Sequence, residues 1–322
     1  MLEQIKNDVL NGKELSEKQI EYLKNYPYED LELLLKIAYE VKKNFFSDNI
    51  DLCSIANVKS GLCSEDCKFC AQSSHYDTNA PVYDYIDEEK LKDAIIFYKS
   101  KGVRRFSIVT SGKTLDEDTF KKVLDGVKLI KNVGMIPDVS VGILTKEQLN
   151  ELKEAGLVGF HHNLETSRSF FNNICTTHDY EEDIATVRDA VNLGLYVCSG
   201  GIFGIGESWD DRVELAYELK KLNVHSVPIN FLNPIKGTPL ESFSVLSEEE
   251  ALKIIAIYRL ILPDKHIRVC GGRNNVFTDK TKLKILVSGA SGIMVGDYLT
   301  TTGFPIDSDL EDIKKVCGEK YS

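Results

Sequence analysis

With 322 residues, 43% of them hydrophobic and 28% charged, the chain has the composition of a globular protein, long enough for one large α/β barrel or two ordinary domains. Its net charge of −11 argues against a broad nucleic-acid or anionic-membrane surface. No apolar run reaches the roughly 18 residues of a membrane span and nothing reads as a signal peptide, so the cytosol is the expected compartment, where eight cysteines speak for metal chemistry before disulfides.

In chain order, residues 1–45 read as a helical preface, with a capping box from Ser16 to Gln19 marking one helix start. Short apolar runs then alternate with amphipathic segments. The predicted strands cover 50–55, 105–109, 138–141, 159–162, 195–199, 226–229, 266–270 and 292–295. Between them, sets such as Phe120, Val123, Leu124, Val127 and Ile130 return an apolar residue to one face at helical spacing, as do Ala251, Ile254, Ile255, Tyr258 and Leu262. Capping boxes at Thr145 to Gln148 and Ser247 to Glu250 mark further helix starts. Eight β-α units, with no fixed repeat and no linker-like stretch, predict an α/β fold. It is a (β/α)8 TIM-type barrel over 46–305, with an N-terminal helical extension and a tail at 306–322. Chemistry is expected where strands end and βα loops begin.

The loop after the first strand carries Cys63, Cys67 and Cys70. Three thiolates on one short loop are enough to hold three irons of a [4Fe-4S] cube and leave the fourth open. An open iron can bind the amino and carboxylate groups of S-adenosylmethionine (SAM) and pass an electron to its sulfonium, which cleaves to a 5′-deoxyadenosyl radical. The alternative is a structural zinc site completed by His75. The Cys-x3-Cys-x2-Cys spacing with Phe69 before the last cysteine resembles the radical-SAM signature, in which that ring packs near the adenine.

Two further strand ends are chemically unusual. Gly200, Ile202, Gly204 and Glu207 resemble the GxIxGxxE element that radical-SAM barrels lay beside the adenine, although a plain tight turn is the alternative. His161-His-Asn-Leu-Glu-Thr-Ser167 crowds polar groups at the end of the fourth strand. Asn163 and Glu165 are expected to alternate on one strand face and hold an amide-like substrate and the SAM ribose or methionine; hydrogen-bonded structural roles are the alternative. Asn230, at the end of the sixth strand, adds an amide able to donate to and accept from a cyclic urea.

Taken in order from about residue 45 to about 305, residues 57–76 and the stretches HHNLETS, VCSGGIFGIGE, VPINFLNPIKGTPLE, IRVCGGR and YLTTTGFP resemble the biotin synthase family. The resemblance implies a homodimeric radical-SAM barrel that inserts sulfur between two carbons of dethiobiotin, served by a flavodoxin- or ferredoxin-type electron donor. On this sequence it implies that Cys63, Cys67 and Cys70 hold the SAM cluster and that Phe69, Gly200, Ile202 and Gly204 lie beside SAM. It further implies that Asn163 and Glu165 contact SAM and substrate, that Asn230 meets the ureido ring, and that Thr301 and Thr302 receive the valeryl carboxylate.

The chain also departs from that family. Many members hold a [2Fe-2S] sulfur donor by three barrel cysteines and an arginine; Cys198 and Arg268 match, but the other two cysteine positions fall on Ser107 and Asp138. Cys53 on the first strand and Cys270, two residues after Arg268 and so on the same face of its strand, make a second trio with Cys198. The expectation is an auxiliary [4Fe-4S]-type cluster, in preference to [2Fe-2S], whose open iron carries an extra sulfide for insertion; small buried hydrophobes are the alternative. Cys175 and Cys317 read as ordinary thiols, and His75, His178, His225 and His266 as surface or packing residues. Arg104 and Arg105 either extend a positive lining near the auxiliary cluster or form a solvated basic pair. The rival within the superfamily is an enzyme of the hydrogenase-maturase or methylornithine-synthase type. A non-catalytic iron-sulfur carrier or zinc-bound binding protein is the rival outside it, and leaves the polar strand ends without a task.

Overall fold

The computed structural model describes residues 1–318. Among them, strands β1 (Asp51–Lys59), β2 (Arg105–Thr110), β3 (Ile136–Ser140), β4 (Gly159–His161), β5 (Tyr196–Cys198), β6 (Gly201–Phe203), β7 (Ser226–Phe231), β8 (His266–Val269) and β9 (Gly292–Met294) form one parallel sheet. Its order is β5-β4-β3-β2-β1-β9-β8-β7-β6, and Cys198 of β5 pairs with Ser226 of β7, which closes the ring. β5 and β6 are the two halves of one interrupted strand, so the closed object is an eight-stranded barrel with helices outside. All eight predicted strands are present. The break was not predicted, and it has a steric cause: a side chain at Gly200 would lie 2.0 Å from the Pro228 carbonyl oxygen, and one at Gly201 would lie 2.4 Å from that of Glu165. Backbone comes so close here that only glycine fits, and a three-residue strand between such contacts carries no readable alternation.

Successive strand residues face opposite sides. One set, including Phe106, Ile108, Val139, Phe160, Val197, Ile229, Ile267 and Val269, is at most 1% exposed and packs under the helices. The inward set is unusually polar for a barrel: Cys53, Arg105, Ser107, Asp138, His161, Tyr196, Cys198, Asn230 and Arg268 all face one cavity. Buried polar groups cost free energy unless they are paired or hold something, so the barrel interior is the place to look for function.

The predicted preface consists of the helices Leu2–Leu10, Glu17–Lys24 and Leu31–Phe46, and the last of these packs on helix Glu248–Ile261 within the main core. The capping boxes at Ser16 and Thr145 are reciprocal. The one at Ser247 is one-sided: the Ser247 hydroxyl accepts from the Glu250 amide, but the Glu250 carboxylate instead accepts from Arg212 Nη1 at 2.7 Å. Of the predicted tail, Ile306–Cys317 is a helix, anchored by Asp309 between Arg273 and Lys282, and 319–322 lie outside the described residues. Among the described residues no helix is long and apolar enough to cross a membrane.

Candidate active site

The loop after β1 folds over the mouth of the barrel and is held by its own backbone. Cys63 N donates to Gln72 O at 3.0 Å, Ser74 N to Cys63 O at 2.8 Å and Cys70 N to Cys67 O at 2.9 Å. Cys63, Cys67 and Cys70 are unbridged, and Phe69 and Cys70 stand on the wall of a cavity of about 270 Å³. Burial pushes the Cys70 thiol up to about 11, with the charges of Cys63 and Glu165 adding to the effect. A metal centre bound here therefore has to displace thiol protons, as thiolate-bound iron does. His75 Nε2 meets the Ser64 carbonyl at 2.9 Å, and among the described residues His75 and the three cysteines do not converge to the spacing of ligands about a single zinc ion.

Phe69 packs with Ile202, Phe170, Ile174, Ile205, Leu232 and Leu240 in a small apolar cluster beside the cavity, a surface suited to a flat base. Of the glycine-rich element only Ile202 reaches the cavity. Gly200 is pressed against Pro228, and Gly204 stands against Leu246. The Glu207 carboxylate accepts from the amides of Gly204 at 3.0 Å and Ile205 at 2.8 Å and from Arg212 Nε at 2.7 Å, so these positions shape the turn from behind.

Asn163 and Glu165 lie beyond the end of β4, with Glu165 in the left-handed region at φ 64°, and so do not alternate along a strand. They meet nevertheless. The Gly200 amide donates to Asn163 Oδ1 at 3.2 Å, which fixes the orientation of the side-chain amide. His161 Nε2, 2.9 Å from the same oxygen, must then carry its proton, and Nδ1 accepts from the Ser140 hydroxyl at 2.9 Å. Burial holds His161 down at about 4, which keeps this imidazole neutral. The Asn163 amide nitrogen is left facing the Glu165 carboxylate at 3.3 Å. Burial pushes Glu165 up to about 7, against the pull of that hydrogen bond. The row Ser140, His161, Asn163 and Glu165 presents a fixed acceptor to the cavity.

Deeper in the barrel, Cys53, Cys198 and Cys270 line the same cavity around Arg268. Burial pushes Cys53 up to about 12 and raises Cys198 and Cys270, while Arg268 pulls all three the other way. Arg268 itself is tied to Asp51, through its side chain and through the carbonyl at 3.1 Å, and so stands as a fixed counter-charge beside the thiols. The Ser107 hydroxyl and the Tyr196 hydroxyl, both on the cavity wall, are buried with no partner in the protein. Three thiols, a positive charge and orphaned hydroxyls fit an enclosed anionic iron-sulfur group.

Comparison with known proteins agrees with this geometry. The profile of the radical SAM superfamily matches residues 57–219, and that of the biotin and thiamin synthesis associated domain matches 228–316. Biotin synthase of Thermodesulfovibrio yellowstonii is 49% identical over 86% of this chain and 87% of its own, and that of Geobacter metallireducens is 47% identical over 98% of both. The chain belongs to the biotin synthase family. It is a radical-SAM, sulfur-inserting enzyme, with SAM and a [4Fe-4S] cluster as the cofactors that family implies. Enzymes of the rival radical-SAM types are similar to it in fold. Methylornithine synthase superposes with a TM-score of 0.80 at 21% identity over 90% of this chain and 85% of its own. The hydrogenase maturase HydG of Carboxydothermus hydrogenoformans superposes with a TM-score of 0.81 at 17% identity over 98% and 77%.

Within this biotin synthase scaffold, Asn230 lines the cavity, donating to Gly201 O at 3.2 Å and accepting from Gly271 N at 2.9 Å. Thr301 lines it too, whereas Thr302 is set back, its carbonyl accepting from Asn274 at 2.8 Å, so of the expected threonine pair one member lines the cavity. Arg104 is exposed, while Arg105 is buried, clasps Asp138 and stacks its guanidinium 4.1 Å from the centre of the Tyr196 ring. The pair was not readable as such, though Arg105 and Asp138 sit at inward positions of neighbouring strands. Cys175 and His178 also differ from the expectation of ordinary packing: Cys175 Sγ lies 3.8 Å from Cys67 Sγ and 3.3 Å from His178 Nδ1. Their closeness in sequence, in Cys175-Thr-Thr-His178, was the available signal.

Proposed function

We propose that the enzyme converts dethiobiotin to biotin, with Cys63, Cys67 and Cys70 holding the SAM cluster and Cys53, Cys198 and Cys270 holding an auxiliary [4Fe-4S]-type cluster that carries the sulfur to be inserted. The observation that carries this reading is that both cysteine sets reach one cavity, the loop trio through Cys70 at its mouth and the second trio through Cys53, Cys198 and Cys270 deeper in the barrel. When bound, the SAM cluster and SAM supply hydrogen abstraction from unactivated C–H bonds. The chain's own part is positioning and exclusion of water. Phe69 and Ile202 offer the apolar face for the adenine; Asn163 and Glu165 hold SAM and the substrate between them. Asn230 presents its amide to the ureido ring, and Thr301 receives the carboxylate end, with Thr302 supporting the same segment. Arg268, held by Asp51, compensates the negative charge of the thiolates of the second trio. A homodimer and a flavodoxin- or ferredoxin-type reductant belong to the same reading and rest on the family resemblance.

The test is an anaerobic single turnover of iron- and sulfide-reconstituted protein with SAM, reductant and dethiobiotin, read by mass spectrometry. Biotin approaching one per chain is expected, together with 5′-deoxyadenosine. Deoxyadenosine without biotin would keep the radical chemistry and overturn the substrate and the on-board sulfur.

A further inference from the structure

Cys175 is the one cysteine outside the two trios that reaches either of them. It is 1% exposed and belongs to no disulfide. Its segment is stapled to the cluster loop at several points. Lys68 N donates to Ile174 O at 2.9 Å, Thr176 N to Asp66 Oδ1 at 2.8 Å and Asp66 N to Thr177 Oγ1 at 3.2 Å. Position 175 is thereby held against Cys67, whose thiol in the metal-free chain donates to Cys175 Sγ at 3.8 Å, a direction that iron on Cys67 would reverse.

Of the three groups within hydrogen-bond range of the Cys175 thiol, Cys67 Sγ, Thr177 Oγ1 and His178 Nδ1, Cys67 is the one that iron binding turns into an anionic acceptor. His178 Nδ1 lies 2.6 Å from Glu65 Oε2 and Nε2 lies 3.2 Å from Asp183 Oδ2, so both ring nitrogens face carboxylates and both donate. Asp183 is held in turn by His162 at 2.7 Å, and Glu65 by the hydroxyls of Thr177 at 2.6 Å and Ser64 at 2.9 Å. The imidazole is therefore occupied as a donor and does not take the Cys175 proton. The Thr177 hydroxyl, 3.6 Å from the sulfur, is a neutral acceptor engaged with Glu65. Once Cys67 is an iron-bound thiolate it only accepts. Glu65, Cys175 and His178 are also metal-ligating in type, and lie close enough together to be considered as a separate ion site. The 2.6 Å contact between Glu65 and His178 is instead that of a strong hydrogen bond, shorter than the spacing of two ligands about one ion.

On the reading that Cys67 is a cluster ligand, we infer that Cys175 is a positioning residue of the SAM cluster: its thiol donates a hydrogen bond to the Cys67 sulfur and stabilises the reduced cluster. Hydrogen bonds to cluster sulfurs raise reduction potentials, because the added electron places more negative charge on those sulfurs. A cluster less negative in potential is easier for a protein donor to reduce, and Cys175 sets that point without touching substrate.

The experiment is an EPR-monitored redox titration of the anaerobically reconstituted full chain, following the signal of the reduced cluster that changes when SAM is added. Wild type, Cys175→Ala, Cys175→Ser and Cys67→Ala are compared at measured iron and zinc content. Cys175→Ala is expected to keep wild-type iron and the SAM response but to shift the midpoint to more negative potential. Cys175→Ser, which retains a donor, should lie between the two. Equal midpoints in all three, with clusters intact, overturn the inference. Loss of iron from both Cys175 variants makes the residue structural and overturns it as well, as does a separate zinc or iron ion lost with Cys175. Retention of the SAM-responsive signal by Cys67→Ala would instead overturn the underlying ligand reading.

Discussion

Arg105 grips Asp138 through two hydrogen bonds, Nε to Oδ2 at 2.9 Å and Nη2 to Oδ1 at 2.8 Å, across neighbouring strands inside the barrel. Asp138 and its register partner Ser107 are the positions where the family resemblance implies the other two barrel cysteines. An ion pair thus takes part of the wall that a differently held cluster would use, and Tyr196 covers the guanidinium face. Burial raises Asp138 while the Arg105 charge lowers it, so the carboxylate depends on its partner to stay ionised.

That dependence predicts a strong asymmetry between single and double substitutions. Asp138→Ala or Arg105→Ala should each destabilise the protein by about 3–5 kcal/mol, because the remaining charge is left buried and alone. Arg105→Ala combined with Asp138→Ala should cost less than the sum of the singles. Urea unfolding of the four proteins measures the coupling, and simple additivity would contradict it.

The two cysteine trios should separate functionally. Cys53→Ser or Cys270→Ser is expected to leave SAM cleavage intact while removing the auxiliary iron and at least 100-fold of biotin formation, roughly the scale of losing an essential group in catalysis. Cys63→Ser should abolish cleavage itself. Iron content, deoxyadenosine and biotin, measured on the same samples, decide the matter. Full biotin formation by either strand variant would sink the second cluster.

Glu165 makes stability depend on pH in a definite direction. Its folded value, near 7, lies above its unfolded value near 4.5. The contribution it makes is therefore fully present below about pH 4.5 and is lost as pH rises through about 7, by at most about 3 kcal/mol. Glu165→Gln removes this term. Relative to wild type, the variant should gain stability between pH 5 and pH 8, measured by urea unfolding of the metal-free proteins. It should also weaken SAM binding, since the amide cannot replace an anionic acceptor.

Gly201 sets the position of that carboxylate through the backbone. The Glu165 carbonyl accepts from the Ile202 amide at 2.8 Å and stands where a Gly201 side chain would be. Gly201→Ala is expected to cost about 1–3 kcal/mol by overpacking and to weaken SAM binding with the iron of the loop cluster unchanged. Equal affinity, by calorimetry on the reconstituted proteins, would show that the turn can yield.

The strand periodicity, the loop cysteines and the helix caps were legible in the sequence because each is a local pattern: alternation follows from the extended backbone, and Cys63, Cys67 and Cys70 lie on one short loop whatever surrounds it. From the same alternation Arg268 and Cys270 could be put on one face. Other features depended on closure of the barrel. Whether Arg105 met solvent or Asp138 was decided by strand register, and whether Thr301 or Thr302 faced the cavity by the course of a loop. Cys175 met Cys67 because residues 65–68 and 174–177 bond to one another across 108 residues of chain. Contacts of that separation leave no spacing to read, since the distance between two side chains is then set by the packing of whole strands and helices.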